Sequence, residues 1–192
     1  MSSRIPPPAP DDPLWLRPID RTLMDTASLQ ARNNPRRRAL LRYHELPEAV
    51  QRMINAVEPE SYICPHRHLR PPHVEVFLVL RGGGVLVRFD DGGAILESVE
   101  LDAGGPVHGV EIPPGAWHTV LALDPGTVFY EVKEGPYDPA ADKEFAPWAP
   151  PEGDVDAGRA YLADLRARLH LPAQPSHIPD LTTIDEEDDD LP

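Results

Sequence analysis

Between Ser61 and Lys133 the chain consists of short runs of β-branched and aliphatic residues separated by turn sequences. Four turns punctuate this stretch, namely residues 90–93 (DDGG), 103–106 (AGGP), 113–115 (PPG) and 124–126 (DPG). Runs of strand length between such turns predict an antiparallel β-sandwich or barrel. The chain is therefore expected to be mainly β.

Three segments outside this stretch have the spacing of amphipathic helices. Two helices are predicted before the β-rich stretch, at residues 19–32 and 47–57, and one is predicted after it, at residues 156–170. Residues 134–152 predict a proline-rich segment that wraps the barrel, with Tyr137, Phe145 and Trp148 as anchors. The acidic end, residues 172–192, has too little apolar surface to order and is expected to be disordered.

His66 and His68 form the pattern that points to chemistry. Alternate side chains of a strand share one face, so both imidazoles can converge on one ion. Pro71 and Pro72 break the ladder and reset this alternation before the next strand. On that strand Glu75 shares an inward face with apolar neighbours, where a carboxylate must be paired, protonated or bound to metal.

His118 follows the turn at residues 113–115 and completes a set of three imidazoles and one carboxylate: His66, His68, Glu75 and His118. These donors favour one divalent transition metal, with iron, zinc, manganese, nickel and cobalt all compatible, over calcium or magnesium. Alternatives stay open at Glu75, which could instead form an ion pair or face a substrate. His73 could replace it as a ligand, although an exposed loop position is favoured.

Three further groups are candidates for the cavity. Cys64 shares its parity with His66, but a small buried apolar role is the default for a lone cysteine. Arg88 and Lys133 could reach the cavity mouth, whereas Arg67 must point away from the ligands. Of the neighbours Tyr130 and Glu131, only one can face inward.

Arg36, Arg37 and Arg38, with Arg32, Arg42 and Arg52 nearby, form the most concentrated positive region. Arginine binds phosphate or carboxylate in a bidentate manner, so contact with a sugar phosphate or nucleotide-sugar is conceivable. The favoured interpretation is a run that pairs with the protein's own acidic surface.

Composition restricts the partners and the compartment. The chain has 18 basic and 32 acidic residues, a net charge of −14, which disfavours binding to nucleic acid or to anionic lipid. It has no apolar run long enough to cross a bilayer, and its first residues lack a signal-peptide core. A single cysteine, Cys64, allows no internal disulfide. These features predict a cytoplasmic protein.

The order H-x-H, then E-x6-G, then P-x-G-x2-H resembles the two-part signature of the cupin superfamily. The resemblance implies a single cupin domain, a double-stranded β-helix or jelly-roll barrel, with His66, His68, Glu75 and His118 as metal ligands. Two departures are the longer gap between His68 and Glu75, and Ala122 at a position where the family often has asparagine. The expected division is a cupin domain with N-terminal helices at 1–150, with its barrel core at about 58–134, and an extension at 151–192.

A more specific resemblance, to the WbuC-type cupin metalloproteins, covers roughly residues 15–152. It rests on the segments NPRRR from Asn34, PHRH from Pro65, FLVLRG from Phe77 and KEGPYDP from Lys133, and on KEFAPW from Lys143. That family is associated with bacterial O-antigen and other surface-polysaccharide gene clusters, so the resemblance implies a sugar-related ligand.

The resulting hypothesis is a divalent-metal-binding cupin that acts on a sugar or sugar-nucleotide by isomerase-like or epimerase-like chemistry. Two alternatives stay open: an iron-dependent dioxygenase for a small molecule, and a non-catalytic binding protein that metal stabilises. A sugar or sugar phosphate is the expected ligand, and a homodimer is an open alternative to a monomer. Neither nucleic acid nor a membrane is an expected partner.

Overall fold

In the computed structural model, residues 16–140 and 142–172 are described. Their elements are α1 (Arg21–Asn33), β1 (Arg38–Arg42), β2 (Val50–Val57), β3 (His66–Arg67), β4 (Glu75–Arg81), β5 (Gly83–Phe89), β6 (Ile95–Asp102), β7 (Gly109–Ile112), β8 (Trp117–Ala122), β9 (Thr127–Glu134), β10 (Glu144–Phe145) and α2 (Val155–Arg168). The predictions for the N-terminal leader and for most of the acidic end lie outside the described residues.

The strands form two five-stranded sheets, one with the order β1-β2-β9-β4-β7 (sheet 1) and one with the order β10-β3-β8-β5-β6 (sheet 2). Every pairing is antiparallel. From β6 to β9 the chain alternates between the sheets, so strands that are neighbours in sequence face one another across the core. This topology is the double-stranded β-helix of the cupin barrel, and the predicted fold class is confirmed.

The core between the sheets contains buried side chains from both of them, including Phe77, Val79 and Phe129 from sheet 1 and Leu86 and Val120 from sheet 2. Phe77 and Phe129 contact each other edge to face, with ring centroids 5.9 Å apart. This apolar packing forms the core of the barrel. Phe77 and Val120 also border the cavity that the polar side chains described below line.

The predicted first helix is confirmed as α1. Asp20 caps it by accepting a hydrogen bond from the Leu23 backbone N–H. Its buried Ala27 and Ala31 pack on Ile54 of β2 and Val128 of β9. Sheet 1 is therefore covered on both faces, by sheet 2 inside and by α1 outside.

The predicted second helix, residues 47–57, is wrong, because Val50–Val57 is strand β2. It lies between β1 and β9 and pairs with both. Gln51 and Met53 face the barrel, whereas Ile54 and Ala56 face α1. The inner face mixes polar Gln51 and Asn55 with apolar Met53, while Ile54 and Ala56 on the outer face are apolar, and this removes the period of two that identifies half-buried strands.

The helix predicted near the C-terminus is observed as α2, capped by the side chain of Asp154. Its buried Leu162 and Leu165 belong to the apolar cluster that includes Val85 and Leu121 of sheet 2. Arg166 donates a hydrogen bond to the Ala122 carbonyl. The division into a domain at 1–150 and an extension at 151–192 stays a prediction.

Residues before α2 contact the barrel wall, and Trp148 anchors them there, as predicted. The Trp148 ring lies 5.0 Å from the Phe89 ring and 6.3 Å from the Trp117 ring. Phe145 is 51% exposed and is not a buried anchor. Within the described residues, no helix is long and apolar enough to cross a membrane.

Candidate metal centre

The four predicted ligands come together inside the barrel, from both sheets. His66 of β3 and His118 of β8 are directly paired in sheet 2, and His68 follows β3 at once. Glu75 opens β4 in sheet 1. The turn between them carries a bridge from Leu69 to Pro72, so the chain leaves the first strand at the prolines, as predicted. The long gap from His68 to Glu75 is the passage from one sheet to the other.

One potential ligand atom from each of His66, His68, Glu75 and His118 lies within 4.8 Å of the others, and all four residues are buried. The Glu75 Oε2 atom is 3.0 Å from His118 Nε2 and 3.3 Å from His68 Nε2. These four side chains could hold one metal ion, and the geometry favours Glu75 over its alternative roles.

The second nitrogen of each imidazole is held by a backbone carbonyl. His66 Nδ1 donates to Cys64 O at 2.9 Å, His118 Nδ1 donates to Ala116 O at 2.9 Å, and His68 Nδ1 donates to Asp142 O. A carbonyl oxygen can only accept, so each Nδ1 carries the proton and each Nε2 keeps its lone pair. This arrangement is the usual orientation of metal-binding histidines.

The inner atoms of the cluster therefore consist of acceptors. His68 Nε2, His118 Nε2 and Glu75 Oε2 are buried without a hydrogen-bond partner among the described residues. Buried acceptors that face one another repel and are costly unless a proton or a cation lies between them. The donor set of three nitrogens and one oxygen fits a divalent transition metal, which satisfies all of these lone pairs at once.

The protonation states also suit metal binding. Burial is the largest cause that holds the pKa of His66 well below its usual value, and the nearby Lys143 adds to it. Burial opposes ionisation of Glu75, but hydrogen bonds from His118 and His68, made when a proton lies between the rings and the carboxylate, outweigh burial and hold its pKa well below the usual range; a metal ion would take the place of that proton. A neutral imidazole and a charged carboxylate are the forms that bind metal.

A cavity of about 470 Å³ is lined by three of the four proposed ligands, His66, Glu75 and His118. Glu131 and Lys133 line it from β9, and Asn55 lines it from β2. Glu131 is thus the inward-facing member of its pair, whereas Tyr130 packs edge to face on Tyr43 outside the barrel. Such a volume is in the range of small-molecule sites.

Glu131 and Lys133 differ in charge state. Burial, followed by the charge of Glu75 and a hydrogen bond with it, raises the pKa of Glu131 well above its usual value. Asn55 Nδ2 donates a hydrogen bond to Glu131. Lys133 Nζ lies 2.5 Å from Asp142 Oδ1, and both side chains of this ion pair are 4% exposed. The cavity wall therefore combines a carboxyl group that favours its protonated form with a buried ion pair.

Two alternatives for the site have a clear outcome. His73 is buried, so the prediction of an exposed loop histidine is wrong, and burial and Lys133 lower its pKa. Its ring centroid is 6.5 Å from that of His68, and it is outside the four-residue cluster. Cys64 is buried and is not a cavity-lining residue, which agrees with its default role.

The arginine run contacts the protein's own carboxylates and carbonyls. Arg36 and Arg38 both pair with Glu152, and Arg37 lies 3.8 Å from Glu60. Arg38 also donates to the Tyr62 carbonyl at 2.6 Å. Internal pairing was the favoured interpretation, although Arg36 and Arg38 do border the cavity.

The remaining candidates lie where their parity places them, with one exception. Arg67 points outward, pairs with Glu144 at 2.8 Å and stacks 4.2 Å above the Trp117 ring. Lys133 reaches the cavity, as predicted. Arg88 is directly opposite His118 in the register of sheet 2, but it pairs with Glu97 and is not a cavity-lining residue.

Sequence reasoning missed two functional residues, Asp142 and Lys143. The Asp142 backbone carbonyl accepts from His68 and its carboxylate accepts from Lys133, while Lys143 lines the cavity. The distance of 74 positions between His68 and Asp142 hides their contact. For Lys143 the signal was the segment KEFAPW, which begins there and is part of the WbuC-type resemblance.

The chain has weak similarity to known proteins. A family model described as a domain of unknown function, DUF6016, matches residues 19–101. None of the curated proteins matches in sequence.

Several solved structures are similar to the chain. The capsular polysaccharide assembling protein CapF from Staphylococcus aureus is 26% identical, over 58% of this chain and 32% of CapF, with a TM-score of 0.44. KdgF from Halomonas sp. is 17% identical, over 55% of this chain and 84% of KdgF, with a TM-score of 0.43. An oxalate oxidase bound to the substrate analogue glycolate is 17% identical, over 68% of this chain and 75% of that protein, with a TM-score of 0.43. This chain spans about a third of the length of the CapF structures it matches.

Proposed function

We propose that the protein binds one divalent transition metal through His66, His68, Glu75 and His118, and that it uses this centre to bind and transform a small polar molecule. The observation that carries the proposal is the set of buried acceptor atoms that converge without a donor among the described residues. Iron, zinc, manganese and nickel are all compatible with three nitrogens and one oxygen.

The ligand we propose is a sugar or sugar derivative, and the reaction class is isomerisation or epimerisation in bacterial surface-polysaccharide metabolism. The WbuC-type sequence resemblance supports the sugar, and the polar wall of the cavity supports a hydroxylated ligand. A bound metal of this type supplies Lewis acidity towards a carbonyl or hydroxyl oxygen.

The chain's own residues supply orientation and proton handling. Glu131 at the cavity wall forms a hydrogen bond with Glu75 and accepts one from Asn55, so it orients the proposed ligand Glu75 and keeps a proton next to it. The apolar residues Met53 and Phe77 are opposite Glu131 on the two neighbouring strands, and they limit the access of water to it.

Elemental analysis of the purified protein tests the metal. We expect close to one transition-metal ion per chain, and we expect His66→Ala, His68→Ala and His118→Ala each to lose most of it. Glu75→Gln should retain more metal than the histidine variants, because the amide oxygen remains a weak metal ligand. The surface histidine variant His108→Ala is the matched control and should keep its metal. Full metal content in the double variant His66→Ala/His118→Ala would refute the site.

The identity of the metal separates the function classes. Oxygen-sensitive iron would favour a dioxygenase, and zinc that resists exchange and leaves no position open would favour a non-catalytic, metal-stabilised binding protein. Isomerase chemistry predicts that one coordination position of the metal is open to a ligand. Adding a sugar should then change the coordination, which spectroscopy of the cobalt-substituted protein can detect.

A further inference from the structure

Basic side chains are concentrated at the cavity of an acidic protein. Five basic residues line it, Arg36, Arg38, Arg42, Lys133 and Lys143, against four acidic ones, Glu75, Glu131, Asp142 and Glu152. The whole chain has 18 basic and 32 acidic residues. The cavity therefore reverses the charge balance of the rest of the molecule.

These basic residues are not equally available to a ligand. Arg36 and Arg38 already pair with Glu152. Arg42 and Lys143 have no carboxylate partner among the described residues and are exposed at the cavity. Free cations at the rim of a concave site attract anions and raise their local concentration.

Lys133 brings a third cation inside. Its side chain is 4% exposed, yet Asp142 is its one hydrogen-bond acceptor within residues 16–140 and 142–172. An ammonium group has three donors, so two of them are left for a ligand in the cavity. In the register of sheet 1, Lys133 is directly opposite the proposed ligand Glu75.

The strand pairing places these cations around one space. Across sheet 1, Arg42 of β1 is opposite Met53 of β2, and Met53 is opposite Glu131 of β9. Lys133 is two positions after Glu131 on the same face of β9, so Arg42 and Lys133 border the same side of the cavity. Lys143 comes from the opposite wall, in the segment just before β10 of sheet 2. An anion in the cavity would have Arg42 and Lys133 on one side and Lys143 on the other.

We propose that the cavity binds a small oxyanion ligand, a sugar that bears a carboxylate or a phosphate group, with the anionic group held by Lys133, Arg42 and Lys143. This inference rests on the proposed metal function for the other end of the ligand, where a hydroxyl or carbonyl oxygen would face the metal. The anion would thus bind to cations without a carboxylate partner or with free donors, and not to the internally paired run Arg36–Arg38.

Titration calorimetry with three probes tests the proposal: D-glucuronate, D-glucose 6-phosphate and neutral D-glucose. We expect at least one of the two acids to bind at least about ten-fold more tightly than glucose, because hydrogen bonds to charged groups are stronger than neutral ones. The acid that binds more tightly identifies the oxyanion. Raising the salt concentration should weaken this preference.

Variants locate the site. Arg42→Gln and Lys143→Gln should each weaken binding of the preferred acid by about ten-fold and leave glucose binding unchanged. Arg168→Gln is the matched control, since Arg168 is an exposed arginine that pairs with Asp164 on α2 and does not line the cavity. Equal binding of glucose and both acids, no binding of either acid at millimolar concentration, or an equal loss in the Arg168 variant would overturn the proposal.

Repeating the titrations after chelation separates this inference from the metal function. A preference for the acid that survives chelation, or that occurs in a protein without stoichiometric metal, supports the anion site independently of the metal. A protein that holds its metal but shows no preference for either acid contradicts the anion site alone.

Discussion

The buried Lys133–Asp142 ion pair allows a quantitative test of the cavity wall. At 2.5 Å the two charges attract by roughly 7 kcal/mol at an effective dielectric constant of about 20. Removing each ion from water costs several kcal/mol, so the net contribution of the intact pair is small. Loss of one partner is different, because it leaves the other charge buried without compensation.

We therefore expect Lys133→Met and Asp142→Asn each to lower the free energy of unfolding by about 3–5 kcal/mol. The double variant removes both charges while nearly keeping the shapes of the side chains, so it should lose far less than the sum of the single changes. The coupling energy should exceed about 2 kcal/mol, which is within the range observed for residues in contact. Urea unfolding of the four proteins in chelator measures it.

The matched control is the exposed pair Arg168–Asp164 on α2, whose side chains are 40% and 64% exposed. Its coupling, from the cycle of Arg168→Met and Asp164→Asn, should be below about 1 kcal/mol. Additive losses at Lys133 and Asp142, within about 0.5 kcal/mol, would refute the reasoning. Equal coupling in both pairs would refute the role of burial.

Three further changes test the packing and the charge state of the barrel. Gly84→Ala should cost about 1–3 kcal/mol in denaturant unfolding, because a Cβ there would lie 2.5 Å from the Phe129 ring; Gly153→Ala, which meets nothing within 4 Å, should be neutral. Leu165→Ala should cost about 2–5 kcal/mol if α2 packs as described, whereas Leu29→Ala, at a position 60% exposed, should be nearly neutral. The folded protein keeps the Glu131 proton above the unfolded pKa of about 4.3, so stability should fall as pH rises through and beyond that value, and Glu131→Gln should flatten this slope; an unchanged slope would contradict the raised pKa.

The parts of the fold that sequence predicted are those with a local signal. Turns containing glycine and proline separate the strands from β4 to β9, and the cap at Asp20 begins α1. The strand β2 lacked such a signal, because α1 covers an apolar outer face while its inner face mixes polar and apolar residues at the cavity. β1 was hidden for a related reason: its inner face carries Arg38 and Arg42, which are typical of an exposed run.

The same distinction between local and distant contacts applies to the metal centre. The Nδ1 partners of His66 and His118 are carbonyls two positions earlier in the chain, so the strand itself sets the orientation of both rings. The His68 ring depends on Asp142, which is 74 positions away and also neutralises Lys133. A spacing pattern can therefore predict which residues bind metal, but it contains no information on this second contact. Asp142 accepts from His68 through its backbone carbonyl and from Lys133 through its carboxylate, so a side-chain change such as Asp142→Asn should alter the anion end of the cavity while the hydrogen bond to His68 stays in place.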